Sequence, residues 1–131
     1  LLGWASTAAA EPPTDRYGAY RGIPCPRNDL ECFPTASSDR LDIARGRDGT
    51  PRIKAFIRFD RGHSCAIDAP AEWSGGQLIS RAPGATADTP CALTLSFANR
   101  TVSIDDPGLH CPILYCGARG TLGGTRFEKR R

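Results

Sequence analysis

The feature that most constrains this chain is a period-two rhythm of apolar residues, repeated in short runs. Ile53, Ala55, Ile57 and Phe59 fall on one side, with Arg52, Lys54 and Arg58 opposite and Phe56 breaking the polar side. Leu41 and Ile43 share a side, as do Cys65, Ile67 and Ala69. Cys91, Leu93, Leu95 and Phe97 alternate with Thr94 and Ser96, and Val102 and Ile104 follow. In extended backbone, successive side chains point to opposite faces. Such alternation therefore marks strands with one face buried and one in water.

Turn signals separate the runs: Asp48-Gly49, Arg61-Gly62, Gly75-Gly76, Asn99-Arg100 and Gly123-Gly124. Gly and Asn accept the positive φ that tight hairpins need. With 14 Gly and 11 Pro in 131 residues, short strands and many turns are favoured over long helices. The expected fold is all-β, an antiparallel meander of about seven or eight short strands forming a small barrel or sandwich. Either form removes or covers the exposed sheet edges.

The 6 cysteines, Cys25, Cys32, Cys65, Cys91, Cys111 and Cys116, form an even set in a small chain. That pattern fits a disulfide framework in an exported protein. Many pairings are open from sequence; the expected set is Cys25–Cys32 and Cys111–Cys116, each close in sequence and beside turn-forming Pro or Gly, and Cys65–Cys91, joining two strand candidates. His63 near Cys65 and His110 beside Cys111 raise the alternative of a metal site. No C-x-x-C pair is present and the spacings match no common zinc ribbon or finger, so neither metal nor cofactor is expected.

Residues 1–10 look like the back half of a secretory signal. Ala8-Ala9-Ala10 supplies the small residues a signal peptidase reads, and Glu11-Pro12-Pro13 resembles a mature start. Residues 11–38, with Pro12-Pro13, Pro24-Cys25-Pro26 and Pro34, show no strand or helix period and are expected to form an irregular extension. Residues 39–131 carry the alternation and are expected to form the β domain. A periplasmic or secreted location follows from the signal and the cysteines. No apolar run approaches the roughly 18 residues of a membrane helix, so no membrane span is expected.

Net charge is +3. The 17 basic residues are scattered without regularly interleaved aromatics, so nucleic acid is not an expected partner. A basic tail, Arg119 to Arg131, follows a segment carrying Asp105 and Asp106. It could steer a charged partner, although a solvated surface explains it as simply.

Certain residues carry a resemblance. They are His63-Ser64-Cys65, Cys91-Ala92-Leu93, Val102 to Asp106, Cys111, Tyr115-Cys116-Gly117-Ala118-Arg119-Gly120 and Gly124-Thr125-Arg126-Phe127. Together they resemble a group of small, largely uncharacterised secreted bacterial β domains, over roughly Leu41 to Lys129. More distantly, the size, export and β architecture are similar to periplasmic lysozyme inhibitors. Those inhibitors insert a loop with an S-G-x-x-Y motif into the lysozyme cleft. The motif is absent here, and the nearest segment, Tyr115 to Gly120, differs in order and spacing. The resemblance is specific for the domain type and says little of function; the small stapled scaffold, the export signal and the lack of a catalytic set lead to the expectation of a non-catalytic binder whose partner is a cell-wall hydrolase or a rival's toxin.

The residues themselves offer little for catalysis. Ser64 adjoins His63 on an expected strand, so their side chains diverge, and no G-x-S-x-G elbow exists. His110 near Asp105 and Asp106 could form an acid–base pair, but Asp105-Asp106-Pro107-Gly108 also reads as an ordinary turn. Asp68 and Glu72 would share a face only if a strand ran unbroken through Pro70. For binding, Arg119 on its Gly-flanked turn could grip a carboxylate or phosphate, or simply brace the barrel end. Trp73 could be an exposed hot spot or a rim residue. Candidate binding residues are therefore Arg119, Tyr115, Trp73, His63 and His110. One alternative function is a small-ligand or cell-envelope module with Tyr115, Arg119 and Trp73 lining a barrel mouth; another is a compact enzyme, which would need two or more of His63, His110, Asp105 and Asp106 to converge in one cleft.

Overall fold

The computed structural model describes residues 14–23, 39–58, 64–82, 90–116 and 122–130. The alternating runs are strands. β1 is Gly18–Gly22, β2 Arg40–Arg45, β3 Pro51–Arg58, β4 Ser64–Pro70 and β5 Glu72–Ser74. β6 is Gln77–Ala82, β7 Cys91–Ala98, β8 Thr101–Asp105 and β9 Thr125–Lys129. A short helix, α1, Pro112–Tyr115, lies between β8 and β9. In β3 and β4 buried and exposed residues alternate at every step, as the sequence rhythm requires.

All nine strands belong to one antiparallel sheet, in the order β4-β3-β2-β1-β9-β8-β7-β6-β5. The two ends of that list, β4 and β5, are separated in sequence only by Ala71. They act as one bent strand that pairs with β3 before the corner and with β6 after it. The sheet therefore curls into a nearly closed up-and-down barrel. Pro70 suits the corner because it has no N–H to give a ladder. There the Ala71 N–H donates to the Pro51 carbonyl at 2.9 Å, and the Ser80 hydroxyl donates to the Pro70 carbonyl at 2.8 Å.

β1 corrects the expectation that 11–38 is irregular throughout. Gly18–Gly22 hydrogen-bonds to both β2 and β9 and is the strand that closes the meander. Its two glycines and Arg21 hid the alternation, which only Tyr20 carries strongly. Residues 1–10, with the expected signal remnant, lie outside the described residues.

The barrel centre is packed. Leu41, Ile53, Leu78, Leu93, Leu95, Ile104 and Phe127 are fully buried, and Tyr20 lies among them with its hydroxyl donating to the Arg16 carbonyl at 2.7 Å. A barrel of about eight strands is just wide enough for side chains to fill it. The β5–β6 hairpin turns on Gly75 and Gly76, both at positive φ (59° and 84°), the geometry an unbranched two-residue turn demands.

The disulfide pairing differs from the expected one. Cys65 bonds Cys116, and Cys91 bonds Cys111, with Cα separations of 4.0 and 4.8 Å. Cys65 starts β4 and Cys91 starts β7. On this side of the barrel β4 and β6 diverge from the Pro70 corner, and α1 sits against β4 while its leading turn sits against β7. Cys111 and Cys116 flank α1, and residues five apart on a helical turn do not face each other. Each therefore reaches outward to a different strand, closing the seam covalently. Cys25 and Cys32, the third expected pair, lie outside the described residues.

Candidate functional site

The barrel has two unlike ends. At the hairpin end lie the β2–β3, β5–β6 and β7–β8 turns. At the disulfide end lie the starts of β4 and β7, the segment 106–116 and α1.

At the hairpin end Trp73 is half-buried and its indole N–H donates to the Tyr17 hydroxyl at 3.1 Å. Its ring meets Tyr17 edge-on at 6.0 Å and Phe97 at 5.6 Å. The Arg16 guanidinium lies 5.1 Å above Phe97, and that of Arg45 lies 5.1 Å above Tyr17. Arg16 also donates to the Asn99 carbonyl at 2.6 Å, tying the first 3-10 turn, Thr14–Arg16, across this end. The cluster is a lid of rings on the core, so Trp73 is a rim residue with its polar atom satisfied.

Beside it an open cleft of about 620 Å3 runs between the β2–β3 turn and β5–β6. Pro51, Pro70, Trp73 and Ile79 line it together with the ion pair Glu72–Arg81. Asp68 is paired instead with Arg52 at 2.7 Å. The two carboxylates considered from sequence, Asp68 and Glu72, thus serve different strands and different arginines.

At the disulfide end the chain leaves β8 through Asp106, which is buried. Its carboxylate accepts from the Cys111 N–H at 3.3 and 3.4 Å, holding the turn that leads into α1. Burial raises the Asp106 pKa, opposed by that backbone bond and by nearby His110. Asp105 is exposed on β8. The His110 ring packs over Gly108, where an added Cβ would lie 2.8 Å from the imidazole. Gly108 has a φ of 78°, so this turn needs glycine twice over. His110 and Asp106 thus shape a turn.

α1 follows. Leu114 is 41% exposed, whereas Tyr115 packs partly against the core. A large apolar side chain thus stands in solvent on a four-residue helix whose flanking cysteines are both bonded to barrel strands. The sequence carries the signal, an apolar Pro-Ile-Leu-Tyr run between two cysteines. Its meaning depends on which strands those cysteines reach.

Trp73 and Tyr115 lie at opposite ends of the barrel, so they do not line one mouth. His63 and Arg119 lie outside the described residues. Among the described residues, no group of three or more His, Cys, Asp or Glu could hold a metal ion, and no cysteine is free. No helix among them is long and apolar enough to cross a membrane.

No family model, curated protein or solved structure matches the chain. Any functional reading therefore rests on the chain's own chemistry.

One buried group sets a pH dependence. Asp39, at the start of β2, is 4% exposed, and its carboxylate accepts from the Arg58 N–H at 2.9 Å. Burial raises its pKa to about 6, outweighing that hydrogen bond and the charges of Arg40 and Arg58. The raised pKa means the folded protein holds a proton that the unfolded chain has released. The associated stability is complete below the unfolded value of 3.8 and is lost as pH rises through about 6. Asp106 acts in the same direction. Asp39→Asn keeps the acceptor without the charge. It should raise stability at pH 7 by about 2 kcal/mol and flatten the fall between pH 4 and 7 in urea titrations. An unchanged slope would show that Asp39 is not the group responsible.

Proposed function

We propose that this chain is an exported, non-catalytic binding protein that blocks a cell-wall hydrolase through the disulfide end of its barrel. The observation that carries the reading is Leu114, exposed on a helix covalently tied at both ends. A segment already fixed in shape loses little entropy on binding, so its apolar contact converts efficiently into affinity. Buried disulfides in a small domain support an oxidising compartment, the periplasm or the exterior. The filled barrel centre favours recognition at the surface over a ligand held inside. A rival's wall-degrading toxin fits the same surface as well as a lysozyme-like enzyme does.

The test is inhibition of cell-wall lysis across a panel of lysozymes and other peptidoglycan hydrolases. At least one enzyme should be inhibited, and Leu114→Asp should weaken that inhibition about 10- to 30-fold while leaving the melting temperature unchanged. Failure to inhibit any member would remove the hydrolase as partner. Full inhibition by Leu114→Asp would move the contact away from α1.

A further inference from the structure

The barrel wall opens where β5 parts from β3, and the strand register shows how. The β3–β4 ladder runs to Arg52–Pro70, and the bond from the Ala71 N–H to the Pro51 carbonyl is its last rung. Past that point β5 pairs with β6 alone among the described residues. On the other side the chain has already turned back through Asp48, Gly49 and Thr50. The cleft of about 620 Å3 occupies this gap. Pro51, Ala71 and Trp73 line it from the inward face of the sheet, and Pro70, Glu72 and Ile79 from the outward face. The cleft therefore cuts into the wall at a strand edge. Its volume lies in the range of small-molecule sites.

Both lips are fixed. On the turn, the Gly46 N–H donates to the Thr50 carbonyl at 2.7 Å, and the Asp48 carboxylate accepts from the Thr50 N–H at 2.9 Å. On β5 the Trp73 indole is held by the Tyr17 hydroxyl and by Phe97. Across the β5–β6 hairpin the Arg81 guanidinium meets one oxygen of the Glu72 carboxylate. These two side chains are 57% and 66% exposed, so the second Glu72 oxygen and the other guanidinium N–H groups remain open to a ligand. A ligand would meet groups already ordered, which lowers the entropy cost of binding.

We propose that this cleft binds a neutral oligosaccharide. A sugar ring has an apolar C–H face, which suits Trp73 and the prolines, and a rim of adjacent hydroxyls that both donate and accept. Asp48 and Glu72 accept from such hydroxyls and Arg81 donates to them. Two carboxylates against one guanidinium in the lining disfavour an acidic polysaccharide. An extended peptide added to the β5 edge is the competing occupant, but three residues offer it too few backbone rungs. The cleft lies at the hairpin end, so the proposal is independent of the α1 contact.

The experiment is an amide-resolved magnetic-resonance titration of the full chain. The probes are chitotetraose and cellotetraose, with tetragalacturonate as the acidic control and a Thr-Val-Thr-Val-Thr peptide as the strand-forming control. At least one neutral saccharide should shift the amides of Thr50, Ala71 and Glu72 and the Trp73 indole N–H. Glu72→Ala and Arg81→Ala should each weaken that binding about tenfold, the loss of one charge-assisted hydrogen bond. Their melting temperatures should match the parent, because an ion pair this exposed adds little stability. Absence of binding by both neutral saccharides, shifts confined to other parts of the barrel, unchanged affinity in both variants, or tighter binding of tetragalacturonate would overturn the proposal. Binding of the peptide alone would assign the cleft to β-strand addition instead.

Discussion

Replacing Cys65 and Cys116 together by alanine should destabilise the protein by about 4 kcal/mol. The bond spans 51 residues of sequence. On the chain-entropy account, a loop of that size restrains the unfolded state by roughly that amount. The same reasoning gives about 3 kcal/mol for Cys91–Cys111, whose separation is 20. Either is a large share of the roughly 5–15 kcal/mol that holds a domain together. The larger effect should appear as a fall in melting temperature on the order of 15 °C, with a matching fall in the urea midpoint. The folded state should suffer too, because Cys65–Cys116 holds α1 across the seam where β4 and β6 diverge. Hydrogen exchange should accelerate in β4 and α1 before it does in β8 and β9. A loss under about 1 kcal/mol would mean that packing alone closes the seam. Peptide mapping of the intact protein should recover Cys65 linked to Cys116 and Cys91 linked to Cys111. Recovery of Cys111 linked to Cys116 would refute the seam closure itself.

Phe127→Ala should cost about 3–5 kcal/mol, the range for emptying a fully buried aromatic site. Phe127 is 0% exposed on β9, the strand that joins the two halves of the barrel. Its cross-strand neighbours are Val102 on β8 and Gly22 on β1. Gly22 has no side chain that could replace the contacts of the lost ring. Phe127→Leu keeps most of the volume and should cost under about 1.5 kcal/mol. Urea titrations of both variants test this. Equal losses for Ala and Leu would show that the aromatic shape, and not the filled volume, matters at this position.

Strand content was legible because burial on one face imposes a local pattern. Pro51–Arg58, Ser64–Pro70 and Cys91–Ala98 can be read almost residue by residue, and the Gly75-Gly76 turn follows from backbone sterics alone. β1 was missed because two glycines flank its only strong apolar residue, Tyr20. β5, with only three residues, and β6 and β9, each with few strong apolar residues to mark a rhythm, were also not read as runs. The candidate site was less legible. Leu114 and Trp73 are visible as apolar residues in the sequence, but exposure of the first and the Tyr17 partner of the second arise from contacts distant in the chain.

The sequence by itself determined an antiparallel β domain and its inward and outward faces. These properties follow from neighbours one or two residues apart. Only the tertiary structure decided which cysteines meet and which ends Trp73 and Tyr115 occupy. Each of these depends on how β1 and β9 pair and on the seam between β4 and β6. Register between segments a hundred residues apart is set by the packing of the whole barrel, and no local pattern encodes it.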